Sequence, residues 1–138
     1  MPTSAELLLD TSAAVALVQP THVHHRDVLD HVRGRALGLA GHAAIETYSV
    51  LTRLPGAQRV SAAVAARMIE VNFPRSHALS AAGGRRAPSR FAAAGIAGGA
   101  VYDGLVALAA EEARIALLTC DRRAVDTYAR LGVDVTIV

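Results

Sequence analysis

Three leucines, Leu7-Leu8-Leu9, run without polar alternation straight into Asp10, and small helix-compatible residues follow from Thr11 to Leu17. An apolar run this short and this continuous suits a strand covered on both faces, as happens in parallel sheets sandwiched between helices. The arrangement recurs along the chain. Ala36-Leu37-Gly38-Leu39-Ala40 precedes Gly41 and a helical stretch from about His42 to Leu54. Ile115 to Thr119 precedes one from Arg122 to Leu131, and Val133 to Val138 alternates as a terminal strand after Gly132. Strands that alternate with helices predict an α/β protein with a parallel sheet and helices on both faces.

Between these units the punctuation is clear. Thr11 and Ser12 stand where they would cap a helix beginning at Ala13, Pro20-Thr21 ends it, and helical spacing resumes from His22 to Val32 until Gly34. Pro55-Gly56 closes the next unit. Ser61 to Val71 is amphipathic, with Val64, Met68 and Val71 at helical spacing. His77 to Ser80 reads as a further short strand and Pro88-Ser89-Arg90 as a helix start. Gly95, Gly98 and Gly99 make the next stretch a poor continuous helix, and a new helix is expected from about Tyr102 to Ala113. With 138 residues, one domain over 1–138 is expected. No run of about eighteen uncharged apolar residues and no leader pattern is seen, so a soluble, cytoplasmic protein without a membrane segment is expected. The single cysteine, Cys120, excludes an internal disulfide scaffold and suits a reducing compartment.

The charge pattern narrows the chemistry. All fourteen basic residues are Arg and none is Lys. That removes a P-loop lysine and Schiff-base catalysis. A formal charge of +2 is compatible with nucleic acid without establishing it, and G- and C-rich codons give the same Arg and Ala bias.

The acids carry the functional signal. In open parallel sheets ligands bind beyond the carboxyl ends of strands. Asp10 ends the first strand and Asp121 follows a later one, in Leu-Leu-Thr-Cys-Asp. Glu46 lies in an otherwise uncharged helical stretch, and Asp103 opens a helix after Gly98-Gly99-Ala100-Val101-Tyr102, where the helix dipole favours an anion. Taken singly, the simpler reading is the better one, with Asp10 and Asp103 as helix-start carboxylates and Glu46 as a partly exposed helix residue. Together, four carboxylates able to converge from separate elements want a cation. Hard oxygen ligands without His or Cys beside them favour Mg2+ or Mn2+ over zinc. Neutralising those four leaves eight acids against fourteen Arg, a formal +6 to meet a phosphate backbone.

With these residues in view, the chain resembles the PIN-domain family, in particular the VapC-type toxin ribonucleases of bacterial toxin–antitoxin pairs. The resemblance covers nearly the whole chain. It rests on Leu9-Asp10-Thr11-Ser12, on Glu46, on Tyr102-Asp103-Gly104 before an Ala-rich helix, and on Leu118-Thr119-Cys120-Asp121-Arg122-Arg123 before Tyr128 and Leu131-Gly132-Val133. It implies a three-layer α/β/α domain with a parallel sheet of about five strands, a Mg2+ or Mn2+ site, and endoribonuclease activity. It further implies a small VapB-type antitoxin and a toxin homodimer, with tRNA, rRNA or mRNA as substrate. Asp10, Glu46, Asp103 and Asp121 occupy the four acidic, metal-holding and catalytic positions. Thr11, Ser12 and Thr119 match the hydroxyls that orient them, and Asp126 is a candidate auxiliary acid. The expected reaction is in-line hydrolysis of a phosphodiester leaving 5′-phosphate and 3′-hydroxyl ends. The Ala/Gly-rich segment from Ala78 to Ala100 departs from the family pattern.

Other signals fit poorly with function. His22, His24, His25 and His31 lack matching acids or thiols at zinc spacing, and Gly95-Ile96-Ala97-Gly98-Gly99 lacks the order of a phosphate loop. Cys120 has no paired His, and the three Tyr and two Phe are too scattered for a base-stacking platform. Arg85-Arg86 and Arg122-Arg123 are candidate phosphate contacts, and Val60 to Met68 with the helix after it is a candidate apolar surface for a dimer mate or antitoxin. A haloacid-dehalogenase-type phosphatase needs an acid where Ser12 stands, and a receiver domain needs the absent Lys. The remaining alternative is a catalytically weak PIN-like module that binds RNA or protein.

Overall fold

The computed structural model describes residues 6–138. β1 (Glu6–Leu9) leads into α1 (Thr11–Val18), followed by α2 (His25–Val32), β2 (Ala36–Leu39), α3 (Ala43–Thr52), a 3-10 turn at Gly56–Gln58 and α4 (Ala62–Asn72). Then come α5 (Ala81–Ala94), α6 (Ala100–Ala113), β3 (Leu117–Thr119), α7 (Arg122–Arg130) and β4 (Val135–Ile137). The strands form one parallel sheet in the order β2-β1-β3-β4. The helices pack in two groups. α1 meets α2 and α3, with α4 on α3, while α6 meets both α5 and α7.

β1 is central, and this explains its unalternating sequence. Leu9 pairs with Leu39 on one side and Leu118 on the other, and Leu7, Leu8 and Leu9 are each at most 3% exposed. The core continues through Leu39, Leu117, Leu118, Leu108 and Val28. α6 is buried along Val106-Ala107-Leu108-Ala109-Ala110. Its small side chains let neighbours approach closely. At Gly104 a Cβ would stand 2.6 Å from Cε1 of Phe91 on α5.

Among the described residues four strands form where about five were expected. The segment read as a strand at His77–Ser80 makes only a single parallel bridge, Ala40 with His77. Backbone from Arg75 to His77 does run along the free edge of β2: Arg75 and His77 donate to the Leu37 and Leu39 carbonyls at 2.9 and 3.0 Å, and Gly41 donates to His77. The ladder fails because Leu39 N donates to the Ser76 hydroxyl instead of a strand carbonyl. Gly38 allows this edge to form at all, since a Cβ there would lie 1.9 Å from the Arg75 carbonyl oxygen.

The Gly/Ala-rich segment also departs from expectation. The helix does not start at Pro88 but runs from Ala81 to Ala94 through Gly83, Gly84 and Pro88. Tertiary anchoring overrides its poor propensity. Ser80 caps it by accepting from Gly83 N, and Glu112 of α6 holds Ser80 through both its backbone N–H and its hydroxyl. Gly83 fits there because a Cβ would meet Leu79 and Glu112 below 3 Å. Gly95, at φ +72°, terminates the helix. α2 likewise starts at His25, three residues later than the spacing suggests, after a hydrogen-bonded turn at His22. In α4 only Ala65 is fully buried; Val64 and Val71 remain 52% and 59% exposed, so the apolar stripe faces outward. Among the described residues no helix is long and apolar enough to cross a membrane.

Candidate active site

The strand order places a topological switch between β1 and β3, because the chain leaves β1 towards β2 and returns on the opposite side. A crevice forms at the carboxyl ends of strands flanking such a switch. Asp10 directly follows β1, and Thr119 ends β3.

Asp10 is 4% exposed, and its carboxylate is surrounded by donors. Oδ1 accepts from Ala13 N at 3.0 Å and from the Ser12 hydroxyl at 2.6 Å. Oδ2 accepts from the Thr119 hydroxyl at 2.5 Å and the Tyr128 hydroxyl at 2.7 Å. The cap of α1 is therefore Asp10 itself, not Thr11 or Ser12, which lie inside the helix. Freed from capping, the Ser12 hydroxyl accepts from Cys120 N at 2.9 Å, and the Thr119 hydroxyl accepts from Asp121 N at 3.0 Å. These two side chains staple the end of β1 to the end of β3. Four donors offset the cost of withdrawing this carboxylate from water.

Glu46 projects from α3. Its Oε1 accepts from the Thr11 hydroxyl at 3.3 Å, and His42, one turn earlier, brings Nε2 to 3.3 Å from the same oxygen. That nitrogen is buried and not aligned for a hydrogen bond, so the pair is a close approach only. The His42 ring also stands edge-on to Tyr102, with centroids 6.3 Å apart. Asp103 sits in the first turn of α6. Its carboxyl is held above the ordinary range, chiefly by burial and then by the charges of Asp121, Asp10 and Glu46, with Arg123 opposing. Asp121 caps α7 by accepting from Arg123 N at 3.0 Å. The Arg123 side chain approaches it at 3.5 Å but is 93% exposed, so solvent screens the pair.

Asp10, Glu46, Asp103 and Asp121 line one cavity of about 170 Å3, together with Thr11, Ser12, Val106 and Tyr128. A larger notch of about 410 Å3 near the starts of β3 and β4 is lined by Glu111, Arg114 and Asp134 among others. It lacks a comparable chemistry, since Glu111 is already paired with Arg90. The acid cavity offers oxygen donors of the kind that hold a hard divalent cation. Mutual repulsion at Asp103 is the electrostatic condition such an ion relieves. Among the described residues no three acid, imidazole or thiol groups already stand in a ligating arrangement. The acids share a cavity and a field.

The other candidates lie elsewhere. Asp126 pairs with Arg130 at 2.9 Å on the exposed face of α7 and does not line the cavity. Burial, with Asp10 and Asp27 nearby, pushes the Cys120 thiol up to about 11, which keeps it protonated at neutral pH. His25 is engaged with the Ala16 carbonyl, and burial lowers His22. Tyr128 is the cavity residue whose role sequence reasoning misses. The available signal is its position four residues after Ala124 on α7, which puts it on the same inward face.

The family model described as PIN domain matches residues 7–130. Ribonuclease VapC27 of Mycobacterium tuberculosis (strain ATCC 25618 / H37Rv) is 46% identical over 131 residues, covering 95% of this chain and 96% of that protein. Ribonuclease VapC40 of Mycobacterium tuberculosis (strain CDC 1551 / Oshkosh) is 42% identical over 130 residues, covering 94% and 96%. Two solved structures share the fold. FitAB bound to an IR36 DNA fragment aligns with a TM-score of 0.71 at 18% identity, covering 95% of this chain and 94% of that one. FitAcB from Neisseria gonorrhoeae aligns with a TM-score of 0.68 at 19% identity, covering 94% and 95%.

Proposed function

The chain belongs to the PIN-domain family, and on that premise we propose that it is the toxin of a VapBC-type pair, a Mg2+- or Mn2+-dependent endoribonuclease. The ribonuclease reading draws on the relatives named VapC27 and VapC40. The observation that carries the metal-dependent site is the meeting of four carboxylates from four separate elements in one small cavity, where burial first and then the other three raise Asp103. One domain spanning 1–138, a cytoplasmic location and an RNA substrate belong to the same reading.

Bound among these acids, a divalent cation supplies Lewis acidity towards a phosphoryl oxygen and towards water. The protein's contribution is placement. Asp10 is oriented by Ser12, Ala13 N, Thr119 and Tyr128 before any ligand arrives. Thr11 steadies Glu46, and Asp121 is fixed by its own helix start. With the four acids neutralised, the chain presents a formal +6, all of it Arg. Arg122 and Arg123 stand immediately beside Asp121, where planar guanidinium groups suit RNA phosphate. Water as nucleophile, with the P–O3′ bond breaking and the 3′-oxygen leaving as hydroxyl, gives 5′-phosphate and 3′-hydroxyl ends.

Partner proteins are part of the proposal. Ile45, Tyr48, Val64 and Val71 are exposed on α3 and α4. An apolar surface of this kind supports burial against an antitoxin or a second copy of the chain.

Cleavage of RNA by antitoxin-free protein, with Mn2+ or with EDTA, tests the reading. Wild type should cut only with the ion, and Asp103→Asn should not cut. Equal cleavage by both, cleavage in EDTA, or 2′,3′-cyclic phosphate ends would refute it. Folded wild type that binds RNA without cutting would favour the binding-module alternative.

A further inference from the structure

We propose that Tyr128 is a positioning residue of the acid cluster: its hydroxyl fixes the orientation of Asp10 and thereby sets the cluster's affinity for a divalent cation. The second half of this statement rests on the metal-dependent reading above.

The four donors around Asp10 are not equivalent. Ala13 N belongs to the backbone of α1, and the Ser12 and Thr119 hydroxyls also receive Cys120 N and Asp121 N. Ala13 N makes the cap bond of α1, Ser12 also ties α1 to Cys120 N past the end of β3, and Thr119 also holds Asp121 N ahead of α7, so each serves the local fold as well as Asp10. The Tyr128 hydroxyl has a different situation. Its hydrogen bond goes to Asp10 Oδ2, and it lines the acid cavity.

Its geometry suits a fixed prop. The ring is 1% exposed and lies on the buried face of α7 with Ala124 and Thr127. A phenol has two side-chain torsions and no flexible stem, so packing of the ring fixes the oxygen. The 2.7 Å separation is in the range of an O–H donor meeting a carboxylate. Oδ2 is shared with Thr119, and loss of the phenol leaves that oxygen with one donor against two on Oδ1. Asp10 can then rotate towards its better-held side. Because α7 also begins at Asp121, the same rigid helix positions one acid directly and another through Tyr128.

The competing account is that a buried phenol merely finds an acceptor. Tyr128→Phe separates the two, since it keeps the ring and its packing. Titration of Mn2+ followed by electron paramagnetic resonance should show dissociation constants raised about tenfold to a hundredfold in Tyr128→Phe, the range typical for partners that orient metal ligands. RNA cleavage should fall at low Mn2+ and recover at saturating Mn2+. A second arm in EDTA compares Tyr128→Phe, Asp10→Asn and the double variant by urea unfolding, where positioning requires that the two changes be non-additive. Unchanged Mn2+ affinity in folded Tyr128→Phe, or additive effects in EDTA, would overturn the proposal. Wild type that binds no Mn2+ would refute the metal-dependent function and the second half of the proposal, while additive effects in EDTA would still overturn the first.

Discussion

Replacing Thr119 by Val removes a hydroxyl at the centre of the site while keeping shape and β-branching. Thr119 is fully buried, and its hydroxyl donates to Asp10 at 2.5 Å while accepting from Asp121 N at 3.0 Å. Losing a hydrogen bond to a carboxylate costs about 1.5–3 kcal/mol. The Asp121 N–H lies near the cavity, where water can take over, so its loss adds only about 0.5–1 kcal/mol. The new methyl returns about 0.8 kcal/mol through burial. The net expectation is a destabilisation of about 1–3 kcal/mol, or roughly 4–10 °C in Tm for a chain of this length. Thermal and urea unfolding in EDTA measure it. Thr119→Ser keeps the hydroxyl and should retain Mn2+-dependent cleavage, which Thr119→Val should largely lose. A Thr119→Val protein as stable as wild type, or a Thr119→Ser protein equally inactive, would show that packing rather than the hydroxyl matters.

Asp103→Asn should trade function for stability. A carboxyl whose folded value lies above its ordinary 3.8 holds its proton more tightly in the fold. Its contribution is therefore greatest below that value and is lost as pH rises through the raised one. In EDTA, Asp103→Asn should gain on wild type as pH goes from about 4 to 7, by urea midpoint, and a flat difference would contradict the crowding of acids. Mn2+ should raise the Tm of wild type with concentration, as binding to the folded state requires, and should do so much less for Asp103→Asn. Two glycines predict opposite signs. Gly84→Ala enters open space on α5 and should stabilise by about 0.5–1 kcal/mol. Gly104→Ala drives a methyl to 2.6 Å from Phe91 and should destabilise by about 1–3 kcal/mol despite better helix propensity, which differential scanning fluorimetry resolves.

Much of the fold is legible because burial writes directly into residue type. A strand paired on both sides cannot alternate, and Leu7-Leu8-Leu9 does not. The misread parts are those where a distant contact outweighs local preference. Nothing near Ala81 announces a helix through Gly83, Gly84 and Pro88, because the deciding group is Glu112, thirty-two residues on from Ser80. Ser76 ends the expected fifth strand by the same logic, its hydroxyl taking the bond from Leu39 N that would have continued the ladder. The exposed face of α4 shows the converse: helical spacing identifies an apolar stripe, and only three dimensions show that it points away from this core.

The acids are legible for a different reason. Solubility does not place a carboxylate at the end of a buried strand, so Asp10 and Asp121 stand out against their surroundings. What the sequence conceals is how such a cluster survives in the fold. Burial and then three neighbouring acids raise Asp103, yet Asp10, the most buried of the four, sits among four hydrogen-bond donors drawn from α1, β3 and α7. Ser12 also binds Cys120 N across the β1–β3 junction, and Thr119, which reaches Asp10 across that junction, also holds Asp121 N, so holding the acid and closing the sheet are the same event. Among the side-chain donors Tyr128 stands outside that scheme, because it adds a bond to Asp10 from α7 without joining strands. An anion held by groups that the fold needs anyway costs little to retain, and this allows a repulsive site to persist at the middle of the sheet.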